Sequence, residues 1–446
     1  MSFRNFIENT ISKEKRNNIK WDYYNAYDYD NSIDIQRIYN NPKAFIKNYF
    51  ANGSKNLALN ILQAENEDKL MNMPYFSNYR ALHTVSTFFL GLLIENAANP
   101  DNPLEINCER DYTNMPFSYL WFLTCLYHDY GYCVEGNKDI FPLPLEGAPI
   151  PSCENPRRYN FFECRQLGYI KRKLKIQCSP YSCFGRKFST QARHIDDTEN
   201  EITMDDLLFK LTKYNLRKGV KFNNGIEIKR NTYTSTLITK YFNYCLNELE
   251  PKCYNHGIVG GFLLYDRLLK NYVKAFQENE SRYQRPYQDE NFHHFYYDDQ
   301  GKYRQFFIEQ IPIFSYISDC IISHNIWKAK PIDVDKYIEY GLDKLLSENF
   351  EKISIKKNPM LYILSVADVL EPCKLFKGIF PNFPEADLWK AWDCFDFKFI
   401  EKSKIELSVL EPAKFEKVYE QVKELETWVE IKFEKIGEQK LEIEFE

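Results

Sequence analysis

Histidine and aspartate side chains interrupt several apolar stretches of this chain, and both residue types can bind a metal ion. Four of the seven histidines lie in or beside such stretches: His83, His128, His256 and His324. Asp129 follows directly after the second of these in "LYHDYGY", and Asp368 lies in "ILSVADVLEP". Imidazole and carboxylate are ligands that suit Mn, Fe, Ni, Zn or Mg. The pattern therefore predicts a divalent metal site.

Each of these residues also has an ordinary structural explanation when it is taken alone. A single histidine on a helix is usually a hydrogen-bonded core or rim residue, and Asp368 could cap a helix or pair with an arginine. An aspartate buried without a partner would be unfavourable. Five apolar segments that each carry such a side chain favour a shared site, because helical bundles build metal sites from side chains that project inward from facing helices.

The segments that must position these residues are predicted to be helices. In "RALHTVSTFFLGLLIENAA" the apolar residues recur at helical spacing. "NMPFSYLWFLTCLYHD" opens on Asn, Met and Pro, a helix-start signal, and runs apolar up to His128. "NPMLYILSVADVLEP" is framed by Asn358-Pro359 and Pro372. "HGIVGGFLLYDRLLKNYVKAF" and "IPIFSYISDCIISHNIW" complete a predicted helical bundle.

The order of these motifs resembles that of the HD superfamily of metal-dependent phosphohydrolases, a helical family named after its His-Asp dipeptide. "RALHTVS" is similar to the Arg-x-x-His opening of its nucleotide-cleaving members, and "LYHDYGY" is similar to its HD-x-Gly helix end. "HGIVGGFLL" resembles the middle helix, "IISHN" the His-His step of the phosphodiesterase and CRISPR-nuclease branches, and "LSVADVLEP" the closing Asp helix. The resemblance covers about residues 76–135 and 250–375.

The resemblance implies one certain metal and leaves a second one open. The ligands of the first metal would be His83, His128, Asp129 and Asp368. His256 and His324 would either hold a second metal or act on the substrate and its leaving group. Asn325 replaces the second histidine of the His-His step, and Tyr132 stands where the family often has Lys or His. Because an Asn side chain is a weak ligand, a second metal stays an alternative.

The chemistry that the resemblance implies is hydrolysis of a phosphate ester. A bound metal lowers the pKa of a water molecule towards about 7 and polarises a phosphoryl oxygen. Asp129 would be the central catalytic residue, and His256 or His324 would protonate the leaving oxygen. Arg80 lies one helical turn before His83 and is predicted to contact a phosphate oxygen. A surface salt bridge is the alternative for Arg80.

A basic and aromatic stretch lies between the helical segments. Residues 151–190 hold nine Lys or Arg residues and two Glu residues, in a chain whose net charge is −5. Lys171, Arg172 and Lys173 form its densest part and are predicted to bind the substrate, because such groups contact phosphates while neighbouring aromatic rings stack on bases. A solvated surface is the alternative.

These patterns divide the chain into three regions. Residues 1–75 are predicted to form an N-terminal helical extension, 76–375 an HD-type catalytic domain with 134–250 as an insertion, and 376–446 a small α+β element. In the last region "SKIELSVL" predicts a strand, "PAKFEKVYEQVKELETWV" a helix and "EIKFEKIGEQKLEIEFE" two strands around Gly437. "ENESRYQRPYQDENFHHFYYDDQGKYRQ" is expected to be a polar, aromatic loop. The predicted fold class is mainly α, a helical bundle with an inserted segment and a C-terminal α+β element.

Composition and hydropathy restrict the expected partners and the cellular compartment of the protein. The 446 residues are 44% hydrophobic, enough for a sizeable core, and a net charge of −5 gives no global sign of a nucleic-acid or membrane partner. No apolar run approaches the length of about 18 residues that a membrane span needs, and "MSFRNFIENTISKEKRNN" has no signal-type apolar core. A cytoplasmic protein is therefore expected.

The twelve cysteines are expected to be reduced thiols. Cys125, Cys245 and Cys320 lie in apolar stretches and are interpreted as small core residues. Four cysteines at positions 153, 164, 178 and 183 leave a structural zinc site open, although their spacing is unlike that of common zinc fingers.

The leading interpretation is a metal-dependent phosphohydrolase that acts on a nucleotide-type small molecule. A two-metal phosphodiesterase or nuclease acting on cyclic nucleotides or single-stranded nucleic acid is the first alternative. A catalytically silent HD module that senses a nucleotide is the second, and a helical scaffold with coincidental histidines is the third. The sequence leaves open the substrate, the identity of the metal and whether the chain forms a homo-oligomer.

Overall fold

The computed structural model of this chain describes residues 3–5, 7, 77–107, 115–133, 135, 220–228, 235–249, 254–261, 264, 294–297, 303–306 and 310–445. These residues are mainly helical and include small antiparallel sheets. The predicted mainly α class is thereby confirmed, whereas the more specific HD-type bundle stays a prediction.

The helices that carry the predicted site residues pack directly on one another. Residues 3–5 and 7 are helical, and from residue 77 onward the helices in chain order are α1 Asn78–Ala98, α2 Phe117–His128, α3 Ser235–Glu248, α4 256–261, α5 Gln310–Ser323, α6 Val334–Glu339, α7 Pro359–Leu370, α8 Pro372–Ile379, α9 Ala391–Cys394 and α10 Phe415–Lys423. Short 3-10 segments lie at Tyr130–Cys133, Pro331–Asp333, Asp343–Leu345, Glu385–Lys390, Pro412–Lys414 and Glu424–Thr427. Helix α1 packs on α2 and α7, and α5 packs on the same two helices.

Helix α1 is a buried core helix. Ser77 caps its start by accepting a hydrogen bond from the backbone N–H of Arg80, at 3.2 Å. Within the part of the chain that the structure describes, α1 is the one helix long and apolar enough to cross a membrane, but 89% of its most apolar window is buried inside the protein. Such burial is typical of a helix in the core of a folded domain.

Helix α7 begins and ends at the residues that the sequence indicated. Asn358 caps it, because its side chain accepts a hydrogen bond from the backbone N–H of Leu361, and Pro359 is the first helical residue. The helix ends at Leu370, and Pro372 then begins α8. This tight α7–α8 connection places Asp368 near the start of a second helix.

The small sheets are antiparallel throughout the described residues. The first contains β1 Glu105–Asn107, β2 Met115–Pro116, β3 Val220–Phe222 and β4 Glu227–Ile228, in the order β2-β1-β3-β4. A hairpin pairs β5 His294–Tyr297 with β6 Tyr303–Phe306. The last contains β7 Phe395–Glu401, β8 Lys404–Val409, β9 Ile431–Lys435 and β10 Lys440–Phe445, in the order β7-β8-β10-β9.

The C-terminal α+β pattern predicted from the sequence is confirmed. Strand β8, helix α10 and the pair β9 and β10 lie in the predicted stretches, and Gly437 has a φ of +84° between the last two strands. Ile405 and Leu407 alternate with less buried residues and face Ile443 and Leu441 of β10. The sheet therefore has one buried face, as period-two patterning requires.

This C-terminal element is tied to the helical core by a polar contact. The indole Nε1–H of Trp392 donates to Ser86 Oγ of α1 at 2.7 Å. Phe3, near the N-terminus, contacts the rings of Trp392 and Phe397. The start of the chain, α1 and the C-terminal sheet thus share one buried region.

Two local expectations are wrong. Met115 and Pro116 do not begin helix α2 but form strand β2, in which Pro116 pairs with Glu105. The reason is that a residue before proline favours extended backbone. The stretch expected to be only a loop contains the hairpin β5–β6, because its run of aromatic residues favours strands.

The region predicted as an insertion, residues 134–250, is described only in part. Ile106 of β1 pairs with Phe222 of β3, and Leu237 and Tyr241 of α3 belong to the buried core. The described part of this region therefore packs with the helices around it. The domain boundaries stay a prediction, and the four cysteines between positions 153 and 183 lie outside the described residues.

Candidate metal centre

The four histidines and two aspartates singled out in the sequence come together in one buried cluster. Their ligand atoms form two sets, each with all atoms within 4.8 Å of one another. The first set is His83, His128 and Asp368, and the second is Asp129, His256 and His324. All six residues are buried. Helices α1, α2, α4 and α7 contribute four of them, Asp129 follows directly after the end of α2, and His324 follows directly after the end of α5.

His83 lies at the centre of the cluster. Its Nε2 is 3.1 Å from His128 Nε2, 3.2 Å from Asp129 Oδ2 and 3.2 Å from Asp368 Oδ1. Ligands about 2.0–2.1 Å from an ion are separated from each other by roughly 2.8–3.0 Å at octahedral angles and roughly 3.3–3.4 Å at tetrahedral angles. The spacing around His83 is therefore that of donor atoms around one cation.

Asp129 lies between the two sets. Its Oδ1 is 3.6 Å from His128 Nε2 and 3.9 Å from His256 Nε2. The ring of His324 lies near both histidines, with centroid distances of 5.7 Å to His128 and 5.5 Å to His256. The arrangement therefore offers two neighbouring ligand sets joined by a single carboxylate.

Two of the histidines are oriented by backbone carbonyls. His128 Nδ1 lies 2.7 Å from the carbonyl oxygen of Cys125, and His324 Nδ1 lies 2.5 Å from that of Ile321. Because a carbonyl only accepts, Nδ1 carries the proton in both rings, and Nε2 keeps its lone pair. Metal-binding histidines are commonly held in this way, with the second nitrogen donating to an acceptor outside the ligand shell.

The other two histidines are oriented by carboxylates. His83 Nδ1 lies 2.9 Å from Glu371 Oε1, and His256 Nδ1 lies 2.5 Å from Glu135 Oε2. Glu371 is fully buried, whereas 22% of the Glu135 side chain is exposed. Nδ1 therefore has a hydrogen-bond acceptor in His128, His256 and His324, whereas His83 Nδ1 makes an ion-pair contact with Glu371 that lacks hydrogen-bond geometry. In all four rings Nε2 can serve as a ligand atom.

Burial keeps two of these rings neutral. It lowers the pKa of His128, and burial together with the nearby His256 lowers the pKa of His324 to about 3. A neutral imidazole with its proton on Nδ1 has the free Nε2 lone pair that a metal requires.

Neighbouring charges shift the pKa values of His83, Asp129 and Asp368. Burial lowers the pKa of His83, but the carboxylates of Asp129 and Glu371 outweigh it and hold that pKa well above the usual value. Burial raises the pKa of Asp129 and of Asp368, but the positive groups beside them outweigh it and hold both well below the usual value. The two aspartates are therefore ionised, as ligands must be.

These residues fit a divalent metal. The cluster combines buried imidazole nitrogens with ionised carboxylates, a donor set that suits Mn, Fe, Ni or Zn. It also brings the lone pairs of His83 and His128 to within 3.1 Å of each other, an arrangement that needs a proton or a cation between them. The cluster could therefore hold a metal ion, and the six donor atoms do not distinguish which one.

Arg80 reaches into the same cluster. Its Nη1 lies 2.8 Å from Asp129 Oδ2, and 25% of its side chain is exposed. The guanidinium lies over the ring of Tyr132, 3.3 Å from the centroid, and that ring stacks on His256 with a centroid distance of 3.7 Å. Arg80, Tyr132 and His256 thus form one stack, in which Tyr132 occupies the position where a Lys or His was expected.

The glycines of α4 allow this close packing. A Cβ at Gly257 would lie 2.9 Å from His324 Cε1, and one at Gly260 would lie 2.5 Å from the carbonyl oxygen of Tyr127. Gly131 is tighter still, since its Cβ would lie 1.9 Å from the His256 carbonyl oxygen. Small residues are therefore required where α4 approaches the end of α2, which explains a glycine-containing helix at the site.

Asn325 stands where the HD superfamily has the second histidine of its His-His step, and its side chain contacts His256. Its Nδ2 lies 3.3 Å from His256 Nδ1, and its Oδ1 accepts a hydrogen bond from Trp327 Nε1–H at 2.7 Å. The Asn325 side chain is thus oriented toward Nδ1 of His256, the ring nitrogen that faces away from the ligand cluster. The second set is completed by Asp129 instead.

Three residues near the cluster were missed by the sequence reasoning. Glu371 holds His83 and also accepts the backbone N–H groups of Cys373 and Lys374 at the start of α8. Glu135 holds His256, and Lys374 Nζ lies 2.8 Å from Asp368 Oδ2. The signal available for Glu371 was its position directly before Pro372, which is typical of a helix cap.

The predicted substrate-binding residues Lys171, Arg172 and Lys173 lie outside the described residues. Their role stays a prediction.

Comparison of the chain with protein-family models, curated proteins and solved structures finds no match. The resemblance to the HD superfamily therefore depends on the motifs and on the geometry of the His/Asp cluster, which is compatible with an HD-type site.

Proposed function

We propose that this chain is an HD-type, metal-dependent phosphohydrolase that cleaves a phosphoester or phosphoanhydride bond of a nucleotide-type substrate. The observation that carries the proposal is the convergence of six buried His and Asp ligands from distant parts of the sequence. A coincidental arrangement does not explain why three of the four histidines also have a hydrogen-bond acceptor at Nδ1 while the fourth, His83, faces the buried carboxylate of Glu371. Buried groups arranged so consistently are typical of a functional site.

The chemistry follows from these donors. A divalent metal held by His83, His128, Asp129 and Asp368 would supply a nucleophile at neutral pH and polarise a phosphoryl oxygen. Arg80, whose side chain is partly exposed beside Asp129, would orient a phosphate oxygen through a charge-assisted hydrogen bond.

His256 and His324 would have different roles with one bound metal and with two. With one metal bound, His256 is placed to move a proton at Nε2, because Glu135 fixes its ring through Nδ1. With two metals bound, Asp129, His256 and His324 would hold the second ion.

A two-metal phosphodiesterase or nuclease is the second candidate. The observation that favours it is the second ligand set, which is as buried as the first and contains a carboxylate between the two. Two-metal sites typically place their ions about 3.5–4 Å apart, and a shared carboxylate is suited to such a pair. Cyclic nucleotides and single-stranded nucleic acid are the substrates proposed for this case.

Metal analysis followed by a substrate panel tests the proposal. The purified chain should contain one or two divalent ions per molecule and should release phosphate or a nucleotide from nucleoside phosphates. The matched variants are Asp368→Asn in the cluster and Asp343→Asn, which changes an exposed aspartate on a 3-10 segment. Loss of metal and turnover only in Asp368→Asn supports the proposal.

Two results separate the alternatives. A folded wild-type chain that binds no divalent metal would favour a silent module or a scaffold over an enzyme. A metal-loaded chain that releases no product from any phosphate ester would leave a nucleotide-sensing module, which direct binding of nucleotides would then identify.

A further inference from the structure

Lys374 is a cation that contacts the candidate metal centre, and no sequence motif identified it. It lies in the first turn of α8, and its Nζ is 2.8 Å from Asp368 Oδ2. The other oxygen of the same carboxylate, Oδ1, faces His83 Nε2 at 3.2 Å. Asp368 thus divides its two oxygens between the ligand cluster and Lys374.

The positive charge of Lys374 does not stabilise the helix on which it lies. The start of a helix carries a partial positive charge, so a cation in the first turn is repelled by it. Glu371 already caps the backbone N–H groups of Cys373 and Lys374, so this turn does not need the lysine side chain. A residue that violates a local preference beside a buried cluster is a candidate for a functional role.

Lys374 and Arg80 form a pair with similar surroundings. Each binds one ligand carboxylate at 2.8 Å, Arg80 on Asp129 and Lys374 on Asp368. Each is also partly exposed, by 25% for Arg80 and 39% for Lys374, while the two aspartate side chains are exposed by 5% and 11%. An ammonium has three N–H donors, so Lys374 can bind Asp368 and an incoming anion together.

We propose that Lys374 binds a phosphoryl oxygen of the substrate and, with Arg80, selects a terminal, doubly charged phosphate. The proposal rests on the proposed function and names its substrate class, a phosphate monoester or the terminal phosphate of an anhydride. Two permanent cations beside a metal site favour a dianion over the single negative charge of a cyclic or internal phosphodiester. The alternative is that Lys374 only holds Asp368 in place.

Anion binding to the metal-loaded full-length chain tests this assignment without requiring turnover. Calorimetry would measure the Kd of inorganic phosphate and of dimethyl phosphate, a diester with one charge, and elemental analysis would give the metal content. The variants are Lys374→Met and Lys374→Arg, with Lys377→Met as the control because Lys377 is an exposed residue on the same helix.

The expected result is that Lys374→Met keeps its metal but binds phosphate about tenfold or more weakly, the loss of one charge-assisted hydrogen bond. Dimethyl phosphate should bind the wild-type chain more weakly than phosphate does, and its affinity should change less in the variant. Lys374→Arg should recover part of the phosphate affinity, and Lys377→Met should equal the wild type.

Two results would overturn the proposal. Loss of metal in Lys374→Met would show that the lysine positions Asp368, and an unchanged Kd for phosphate would show that it does not touch the anion. If the wild-type chain cleaves phosphate esters and Lys374→Met binds phosphate with an unchanged Kd, the role of Lys374 is wrong and the proposed function stands. If phosphate binding depends on Lys374 but no ester is cleaved, only the proposed function fails.

A second measurement covers the case in which Lys374→Met does not fold. Acetylation of the metal-loaded wild-type chain by an amine-reactive ester, read by mass spectrometry, reports the accessibility of each lysine. Phosphate should protect Lys374 and leave Lys377 unchanged. Equal labelling of Lys374 with and without phosphate would contradict the assignment.

Discussion

The ion pairs of the candidate metal centre and those of the C-terminal sheet use similar charged groups in opposite surroundings. In the centre, Arg80 binds Asp129, whose side chain is 5% exposed. On the sheet, Lys435 binds Glu416, and the exposed fractions are 36% and 70%. Exposed pairs contribute little because water and salt screen them, whereas a buried carboxylate that loses its partners is strongly unfavourable. The difference indicates that removing one partner of an ion pair is costly in the centre and nearly neutral on the sheet.

The largest effect is expected at Asp129, the carboxylate between the two ligand sets. Asp129→Ala should abolish hydrolysis and remove bound metal, because Asp129 belongs to the second ligand set and its Oδ2 also lies 3.2 Å from His83 Nε2 of the first. His324→Ala should only weaken turnover if one metal is sufficient, by about 10²–10⁴-fold for a lost proton donor. Elemental analysis and initial rates measure both.

The same pair of variants reports the number of metals. If His324→Ala is as inactive as Asp129→Ala and loses half of the bound metal, the centre is binuclear and the preference for one metal is wrong. If neither change affects turnover of any phosphate ester, the cluster is not an active site.

The next effect concerns Glu371, which orients His83 without belonging to either ligand set. Glu371→Gln should weaken metal binding by about 10–100-fold, because a neutral acceptor holds the ring less firmly. Glu416→Gln, a change to an exposed glutamate of the C-terminal element, should leave the metal affinity unchanged. Competition with a metal-binding dye measures both, and equal affinities in the two variants would contradict the role of Glu371.

A smaller and graded effect is expected from pH. Asp129 and Glu371 raise the pKa of His83, although burial opposes them, so a proton competes with the metal for Nε2. Apparent metal affinity should therefore fall as pH is lowered through that raised pKa, by about tenfold per unit for one competing proton. An affinity that is independent of pH between neutral and mildly acidic buffers would show that His83 does not release a proton to the metal.

The smallest effect is expected on the C-terminal sheet. Lys440 binds Glu406 at 2.9 Å, and 49% of the lysine side chain is exposed. Lys440→Gln should change the free energy of unfolding by less than about 1 kcal/mol and should leave the metal content as it is. Thermal unfolding with and without added metal measures this. A large loss of stability would contradict the view that ion pairs on the sheet contribute less than those of the centre.

Much of the cluster was predictable from the sequence because its ligands are unusual where they occur. A histidine or aspartate inside an apolar helix needs a partner, and His83, His128 and Asp368 found theirs in one another. Strand β8 and the Gly437 turn were predictable for a similar reason, since alternating apolar residues admit few structures.

The residues around the ligands could not be predicted in the same way. Glu371, Glu135 and Lys374 are ordinary charged residues in the sequence, and only their positions in space connect them to His83, His256 and Asp368. The hairpin β5–β6 was missed because polar residues break the period-two pattern that indicates a strand. Polar residues inside apolar segments can be identified from the sequence, whereas residues whose role depends on distant parts of the chain cannot.

Glu371 performs two tasks with one carboxylate, since it caps α8 and holds the ring of His83. The architecture of the chain and its candidate chemistry therefore share a component. A replacement at this position affects both tasks, because the same Oε1 atom faces the His83 ring and the backbone N–H of Lys374. Metal occupancy should in turn be felt in the first turn of α8 as slower amide hydrogen exchange, which makes that turn an internal reporter of the state of the centre.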